Sequence, residues 1–313
     1  MAKEMMFSLA IRKKKFKEDF FWMHDDYEFK ICDIDCKDRY WLADPFLFER
    51  DGTAYIFYEA FDLILHKGII GYSRLREDGS FTPPKMVIEE PYHLSFPYIF
   101  EKEGSIYIMP EGCADYSIRL YKAIDFPDKW ERDIIVNDDI FACDSILLNW
   151  QDREYILSNR MYHYNPEGSL KSCWVKNYLY PLENNKAIGD GIKVSEGDYG
   201  TRNAGKSFRI GDSLYRIGQD CRDAIYGKGL TLFKIIAIKP YQEEIIWNKD
   251  YNEFKNHIID GNRDSIKGAH TYNFSENYEI IDFSFYREMA YKTKVKRYIH
   301  LANRLLEQIK IYL

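Results

Sequence analysis

Acidic residues recur at one place in a repeating stretch of this sequence, and their type and spacing suit proton transfer at a sugar. Asp44-Pro-Phe-Leu-Phe-Glu-Arg-Asp-Gly-Thr-Ala-Tyr-Ile-Phe-Tyr-Glu59 aligns without gaps on Phe96-Pro-Tyr-Ile-Phe-Glu-Lys-Glu-Gly-Ser-Ile-Tyr-Ile-Met-Pro-Glu111. A third copy runs from Asp144 to Asn159, a fourth from Ala204 to Gln219, and a degenerate fifth opens at Gly268-Ala-His-Thr-Tyr and continues through Asp282. Each of the first four reads as a hairpin, so the first residue of one strand lies beside the last residue of its partner. Asp44 is then opposite Glu59, Phe96 opposite Glu111, Asp144 opposite Asn159 and Ala204 opposite Gln219. If the hairpins are the innermost strands of a ring, their ends gather acids and amides from distant parts of the chain around one mouth.

Asp44 stands in Trp41-Leu-Ala-Asp-Pro-Phe and Asp144 in Phe141-Ala-Cys-Asp-Ser-Ile, so both are set among apolar neighbours. Desolvation and mutual repulsion raise one carboxyl while another stays ionised, which is the separation an acid/base pair needs. Glycoside chemistry uses such a pair on either side of an anomeric carbon. Asp44, Glu111 and Asp144 are the candidate catalytic groups, with Glu59, Asn159, Gln219 and Asp220 as polar lining. Tyr92, His93 and Tyr98 supply ring faces and a polar edge near the same mouth. Arg202 and Lys206, just before the fourth hairpin, suit a phosphate or a sugar carboxylate; salt bridges balancing the acids are the alternative. His270 is a candidate hydrogen-bonding or acid/base group, with a structural role as the alternative. For any one acid the plainer reading is a solvated hairpin end.

The elements that must position these groups are short aromatic and β-branched runs bounded by Gly, Asp, Asn and Pro. Between the hairpins lie further strands near Ile69 to Leu75, Ser117 to Ala123, Ser172 to Leu179 and Leu230 to Ile238. Four strands per unit, repeated five times at about 50 residues, predict an all-β five-bladed propeller over 38–289. A β-sandwich with similar hairpins is the competing fold. Residues 1–37 form an N-terminal segment suited to closing the last blade, and 290–313 form a separate tail.

Composition narrows the class. The 313 residues carry 44 Lys plus Arg against 50 Asp plus Glu, a net −6, which gives no general attraction to nucleic acid. At 46% hydrophobic and 17% aromatic, the chain can build a large core. Six cysteines without a paired Cys-x-x-Cys spacing read as reduced thiols rather than a disulfide or zinc framework. In the apolar run Met5 to Ile11 the basic cluster follows rather than precedes, which argues against secretion. No apolar stretch is long enough to span a bilayer. The chain reads as cytoplasmic, with the inner membrane face as a peripheral location.

The tail, Lys292 to Leu313, has the period of an amphipathic helix. From residue 290 it holds six basic residues against one acid, so the rest of the chain carries −11 against the total of −6. An anionic membrane surface or a partner protein suits it; packing on its own propeller or in a homodimer is the alternative. Asp33-Ile-Asp35 lacks the α/β surroundings of a nucleotide-sugar metal motif. No cofactor and no metal ligand set is assigned, and a divalent cation among the acids is left open.

Trp41-Leu-Ala-Asp-Pro-Phe-Leu-Phe, Glu90-Pro-Tyr-His-Leu-Ser-Phe-Pro-Tyr-Ile-Phe, Ile108-Met-Pro-Glu, Phe126-Pro-Asp-Lys-Trp, Gly218-Gln-Asp and Gly268-Ala-His-Thr together resemble the N-terminal domain of glucosamine inositolphosphorylceramide transferase, over roughly residues 38 to 285. That resemblance implies a five-bladed propeller similar to glycoside hydrolase families 43 and 32, and a place in surface-polysaccharide or glycolipid synthesis. In the family 43 pattern a first-blade Asp is the general base, a second Asp tunes pKa, and a Glu is the general acid. Asp44 matches the first; Glu111 and Asp144 stand for the others, in an order that differs from Asp, Asp, Glu. The expected function is transfer or hydrolysis of a glycosyl group on a saccharide or sugar-nucleotide. A non-catalytic glycan-binding propeller, or a membrane-associated scaffold serving a separate transferase, is the second reading.

Overall fold

The computed structural model describes residues 3–138, 140–161 and 175–312, so Ser172, Cys173 and Leu313 lie outside the described residues. Its strands form five separate sheets in chain order. Blade 1 runs Tyr40–Arg50, Thr53–Asp62, Lys67–Arg74 and Lys85–Ile88; blade 2 runs Ser95–Lys102, Ser105–Glu111, Ser117–Asp125 and Lys129–Asp138. Blade 3 is built on Ala142–Trp150, Arg153–Met161 and Val175–Glu183, and blade 4 on Tyr199–Asn203, Phe208–Ile210, Ser213–Asp220, Gly229–Ile238 and Tyr241–Asp250. This is the five-bladed propeller, followed by a C-terminal helix, Tyr291–Tyr312.

Local chemistry explains the hairpins. Asp51-Gly52 and Glu103-Gly104 both place two successive residues at positive φ, the geometry of a tight hairpin turn whose twist matches its strands. Gln151 and Asp152 adopt it without glycine. Apolar side chains on the inner strands then pack from blade to blade: Phe46 and Phe57 with Phe96, Ile108, Ile146 and Ile156 form one continuous core. A second cluster, around Phe21, Phe29, Phe254 and Tyr272, joins blades 4 and 5.

Blade 5 draws on both ends of the chain. Ile266–Gly268 and Tyr272–Phe274 pair with Tyr278–Arg287, which pairs in turn with Glu4–Lys13 in unbroken antiparallel register from Glu4 opposite Arg287 to Lys13 opposite Tyr278. Phe29–Ile31 and Ile258–Ile259 complete its outer edge. Arg12 links this strand to the buried carboxylates of Asp19 and Glu279, so these three buried charges are paired. The ring is thus shut by one hydrogen-bonded strand. Leu9 in that strand is 1% exposed and Met5 is 37% exposed. Leu9→Ala should therefore cost about 2–5 kcal/mol in denaturant melts, and Met5→Ala less than about 1 kcal/mol; equal effects would contradict a load on this closing strand.

Candidate active site

The acids reach the mouth through a repeated backbone irregularity. In blade 1 the register set by the turn, Arg50 opposite Thr53, breaks between Phe46 opposite Phe57 and Ala43 opposite Glu59. Asp44 and Pro45 therefore face Tyr58 alone, a β-bulge. The same break leaves Phe96 and Pro97 opposite Pro110 in blade 2, and Asp144 and Ser145 opposite Ser158 in blade 3. At all three bulges the first residue has positive φ: 49° at Asp44, 45° at Phe96 and 45° at Asp144. Such a conformation costs of order 1–3 kcal/mol in a residue with a side chain and persists only when its surroundings enforce it. As a result Glu59, Glu111 and Asn159 pair with Ala43, Ser95 and Cys143, one residue earlier than an unbroken hairpin dictates.

What enforces the turn at Asp44 is a set of bonds from blades 2 and 5. Its backbone N–H donates to Asp282 Oδ2 at 2.9 Å. Its carboxylate accepts the Thr271 hydroxyl at 2.6 Å and the Phe96 N–H at 3.2 Å. Asp282 in turn accepts the N–H groups of His270 and Thr271 at 3.0 and 2.9 Å. The His270 ring bridges the two acids, with Nε2 3.3 Å from Asp44 Oδ1 and Nδ1 2.8 Å from Asp282 Oδ2. Burial opposes a charged imidazole here, but the two carboxylates outweigh it and raise the His270 pKa. Burial also raises Asp44, against the pull of His270 and with the push of Asp282 and Asp144.

The other half of the site is organised by Arg202. Its Nε lies against Asp144 Oδ2 and its Nη2 is 3.6 Å from Glu111 Oε2, while the guanidinium sits 5.4 Å from the Tyr226 ring centre. Burial, then the neighbouring Asp144, push the Glu111 carboxyl up to about 8, with Arg202 opposing. Burial, Asp44 and Glu111 likewise carry Glu59 well above the usual carboxylate range. Glu111 therefore keeps its proton at neutral pH, as the acid of an acid/base pair must. His93 stays neutral: burial and the charge of Arg202 lower it to about 4, its Nδ1 accepts the Gly68 N–H at 2.9 Å, and its Nε2 faces Glu59 Oε1 at 3.4 Å. Glu59 Oε1 and Glu111 Oε2 are both buried without a hydrogen-bond partner.

Around this acid floor runs a chain of rings. Tyr226 lies 5.2 Å from His270, His270 4.6 Å from Phe7, Phe7 5.4 Å from Trp41, and Trp41 stacks on Phe61 at 4.5 Å, which reaches His93 at 6.1 Å. Trp41, Phe61, His93 and Tyr226 are half-buried. Such faces suit the C–H side of a sugar ring.

Asp44, Glu59, His93, Glu111, Asp144, Arg202 and His270 thus come together as one cluster. The remaining sequence candidates do other things. Tyr92 is half-buried, its ring against the backbone of Gly112 beside Glu111. Tyr98 is a core side chain packed on Phe46. Asn159 clamps blade 4, donating to Thr201 O at 2.9 Å and accepting from Asn203 N at 2.8 Å. Gln219 is buried against the Asn203 carbonyl, and Asp220 holds Arg222 through two bonds. Lys206 lies apart from the acids, its ammonium 4.4 Å from the Phe274 ring centre and lowered to about 8 by burial and the charge of Lys14. Thr271, Asp282, Tyr226, Phe7 and Phe61 belong to the site without having been singled out from sequence.

Among the described residues, two donor sets have ligand atoms within 4.8 Å of one another: Asp44, His270 and Asp282, and Glu111, Cys143 and Asp144. In the second, Arg202 already supplies the positive charge, and burial pushes the Cys143 thiol well up so that it keeps its proton. In the first, His270 spans both carboxylates. Neither set is an open cation cage.

Removing Arg202 strands buried charge. Arg202→Met should destabilise the fold by about 3–5 kcal/mol at neutral pH; a loss under about 1 kcal/mol would refute its role as counter-charge. Glu111, raised from 4.5 to about 8, binds its proton more tightly folded than unfolded, so stability falls as pH rises through that interval. The denaturation midpoint of Glu111→Gln should therefore gain on the parent from pH 5 to pH 8, whereas a constant difference would show an unshifted carboxyl.

Comparison with known proteins bears on the fold and the family. Residues 32–282 match the family of glucosamine inositolphosphorylceramide transferase 1, N-terminal. The rice (Oryza sativa subsp. japonica) glucosamine inositolphosphorylceramide transferase 1 is 31% identical over 218 residues, which are 68% of this chain but only 29% of that protein. Among solved structures, an exo-1,5-α-L-arabinanase from a bovine ruminal metagenomic library superposes with a TM-score of 0.51 at 14% identity, over 81% of this chain and 99% of that one. A thermostable family-43 glycoside hydrolase gives 0.55 at 10% identity, over 78% and 88%. The structural likeness concerns the fold; the sequence match concerns descent, and by it the chain belongs to the family of the glucosamine inositolphosphorylceramide transferase N-terminal domain.

Proposed function

We propose that this chain is a carbohydrate-active enzyme that binds a saccharide at the acid mouth and transfers or hydrolyses a glycosyl group there, in the assembly of surface polysaccharide or glycolipid. The observation that carries this reading is the buried Glu111 carboxyl, raised to about 8 and with Oε2 lacking a hydrogen-bond partner, in the same cluster as Asp44. Glu111 holds a proton at neutral pH and can give it to a departing glycosidic oxygen. Asp44, fixed by Thr271, the Phe96 N–H and His270, is the carboxylate suited to draw a proton from an acceptor hydroxyl or from water. Asp144 helps keep Glu111 protonated against the opposing charge of Arg202, whose guanidinium steadies negative charge at the donor. The unpartnered oxygens of Glu59 and Glu111 are places where sugar hydroxyls would complete the hydrogen bonding.

Two comparisons support the class. The rice relative is named a transferase of glucosamine to inositolphosphorylceramide, and the fold is one on which family 43 enzymes act on glycans. The match to the relative covers its N-terminal part alone, which favours one second reading: a glycan-binding propeller that presents a saccharide to another catalytic unit. The two separate on turnover. Against a panel of sugar nucleotides and aryl glycosides, Asp44→Asn and Glu111→Gln should each slow the parent's reaction by about 10²–10⁴-fold with saccharide affinity retained. The parent rate should also fall as pH rises through about 8, where Glu111 loses its proton, and Glu111→Gln should lack that limb. Saccharide binding without product would assign the chain to the binding reading, and parent rates in both variants would remove these residues from the chemistry.

A further inference from the structure

The C-terminal helix, Tyr291–Tyr312, is mounted back to front for a helix of a globular protein. Its side toward the propeller is polar: Thr293 is buried and donates to Asp38 O at 2.9 Å, and half-buried Arg297 pairs with Glu4 at 3.2 Å and reaches His66 Nδ1 at 3.3 Å. Those two residues and His300 are spaced four and three apart and so lie on one face. The opposite stripe, Tyr291, Val295, Tyr298, Ala302 and Leu305, has the same spacing and is turned to solvent, with Tyr291 80%, Tyr298 73% and Leu305 60% exposed. Ile299 and Leu306 widen it. An apolar stripe outward, on a helix anchored by polar contacts, is an unmet surface rather than part of the core.

Charge identifies what meets it. Residues 291–306 hold five Lys or Arg and no Asp or Glu, and Lys292 and Lys296 flank the apolar stripe. A second copy of this chain would bring two such helices, both strongly positive, face to face. A surface of negative headgroups over hydrocarbon satisfies the stripe and its flanks together. The body of the protein, net negative, turns the helix toward such a surface and the rest away from it. No helix among the described residues is long and apolar enough to cross a membrane, so this one would lie in the interface plane.

We infer that the solvent-facing stripe of this helix docks the protein on an anionic lipid bilayer. The helix is rooted at the rim of the acid mouth: Arg297 touches His66, His66 packs on Phe61, and Phe61 borders His93, which faces Glu59. Docking therefore brings that rim beside the lipid headgroups. The inference rests on the helix and stands independently of any reaction at the mouth.

The test is co-sedimentation of the full chain with extruded vesicles of phosphatidylcholine alone, or with a third of the lipid replaced by phosphatidylglycerol. The protein should pellet with the anionic vesicles at least tenfold more strongly than with the neutral ones. The double variant Leu305→Glu, Leu306→Glu changes two exposed side chains, so its thermal melt should match the parent, and its vesicle binding should fall at least tenfold. Lys292→Gln with Lys296→Gln should weaken binding to the anionic vesicles alone. Equal pelleting of parent and Leu305/Leu306 variant, or no pelleting of the parent, overturns the inference. So does a parent that sediments as a dimer, becomes a monomer in the double variant and ignores vesicles, since the stripe would then be a contact between copies.

Discussion

Five carboxyl groups, those of Asp44, Glu59, Glu111, Asp144 and Asp282, are pressed into one poorly hydrated cluster, and the arrangement depends on how their charge is neutralised. Isolated buried charges cost several kcal/mol each, so a cluster with every acid ionised would not form. Here two basic partners, Arg202 and His270, and a proton retained on Glu111 resolve the conflict. Arg202 lies against Asp144 and near Glu111, His270 lies between Asp44 and Asp282, burial carries Glu59 upward, and Glu111 keeps its proton. The burial and repulsion that raise Glu111 also set it apart chemically from its neighbours.

The propeller supplies this pressure by geometry. Bulges at equivalent points of blades 1 to 3 turn Asp44, Phe96 and Asp144 out of the regular pleat, and bonds between blades fix the turns. Asn203 donates to the Asp144 carbonyl and Asn273 to the Pro45 carbonyl, so blades 4 and 5 hold the bulges of blades 3 and 1. Because His270, Thr271 and Asp282 come from the blade that the N-terminal strand closes, the site is assembled only when the ring is shut. Stability of the fold and integrity of the site are therefore one property.

Much of this was legible in the residues. The hairpin repeat, its Asp-Gly and Glu-Gly turns and its spacing carried the blade count, and the acids at the hairpin ends pointed to a common mouth. The one-residue offset was harder to see, because a bulge leaves the period-two pattern intact on either side of it. Pro45 and Pro97, which cannot donate to a ladder, were its trace in the sequence. The same bulge sends Tyr98 into the core, since alternation restarts beyond Pro97. Lys206 leaves the mouth because the first strand of blade 4 is interrupted between Asn203 and Phe208. Tyr226, Thr271 and Asp282 escaped notice because a loop and the degenerate fifth repeat carry them. The tail's amphipathic period was plain, but which face would meet the protein depended on polar contacts to Asp38, Glu4 and His66 that no periodicity encodes.

The central claim is that one buried acid in this cluster keeps its proton at neutral pH. Carboxyl ¹³C titration of the full chain with labelled glutamate measures it directly, with Glu111→Gln used to assign the signal. The account predicts a resonance that titrates near 8 and vanishes in the variant. If every glutamate carboxyl titrates within the ordinary range, about 4 to 5, the retained proton described here does not exist.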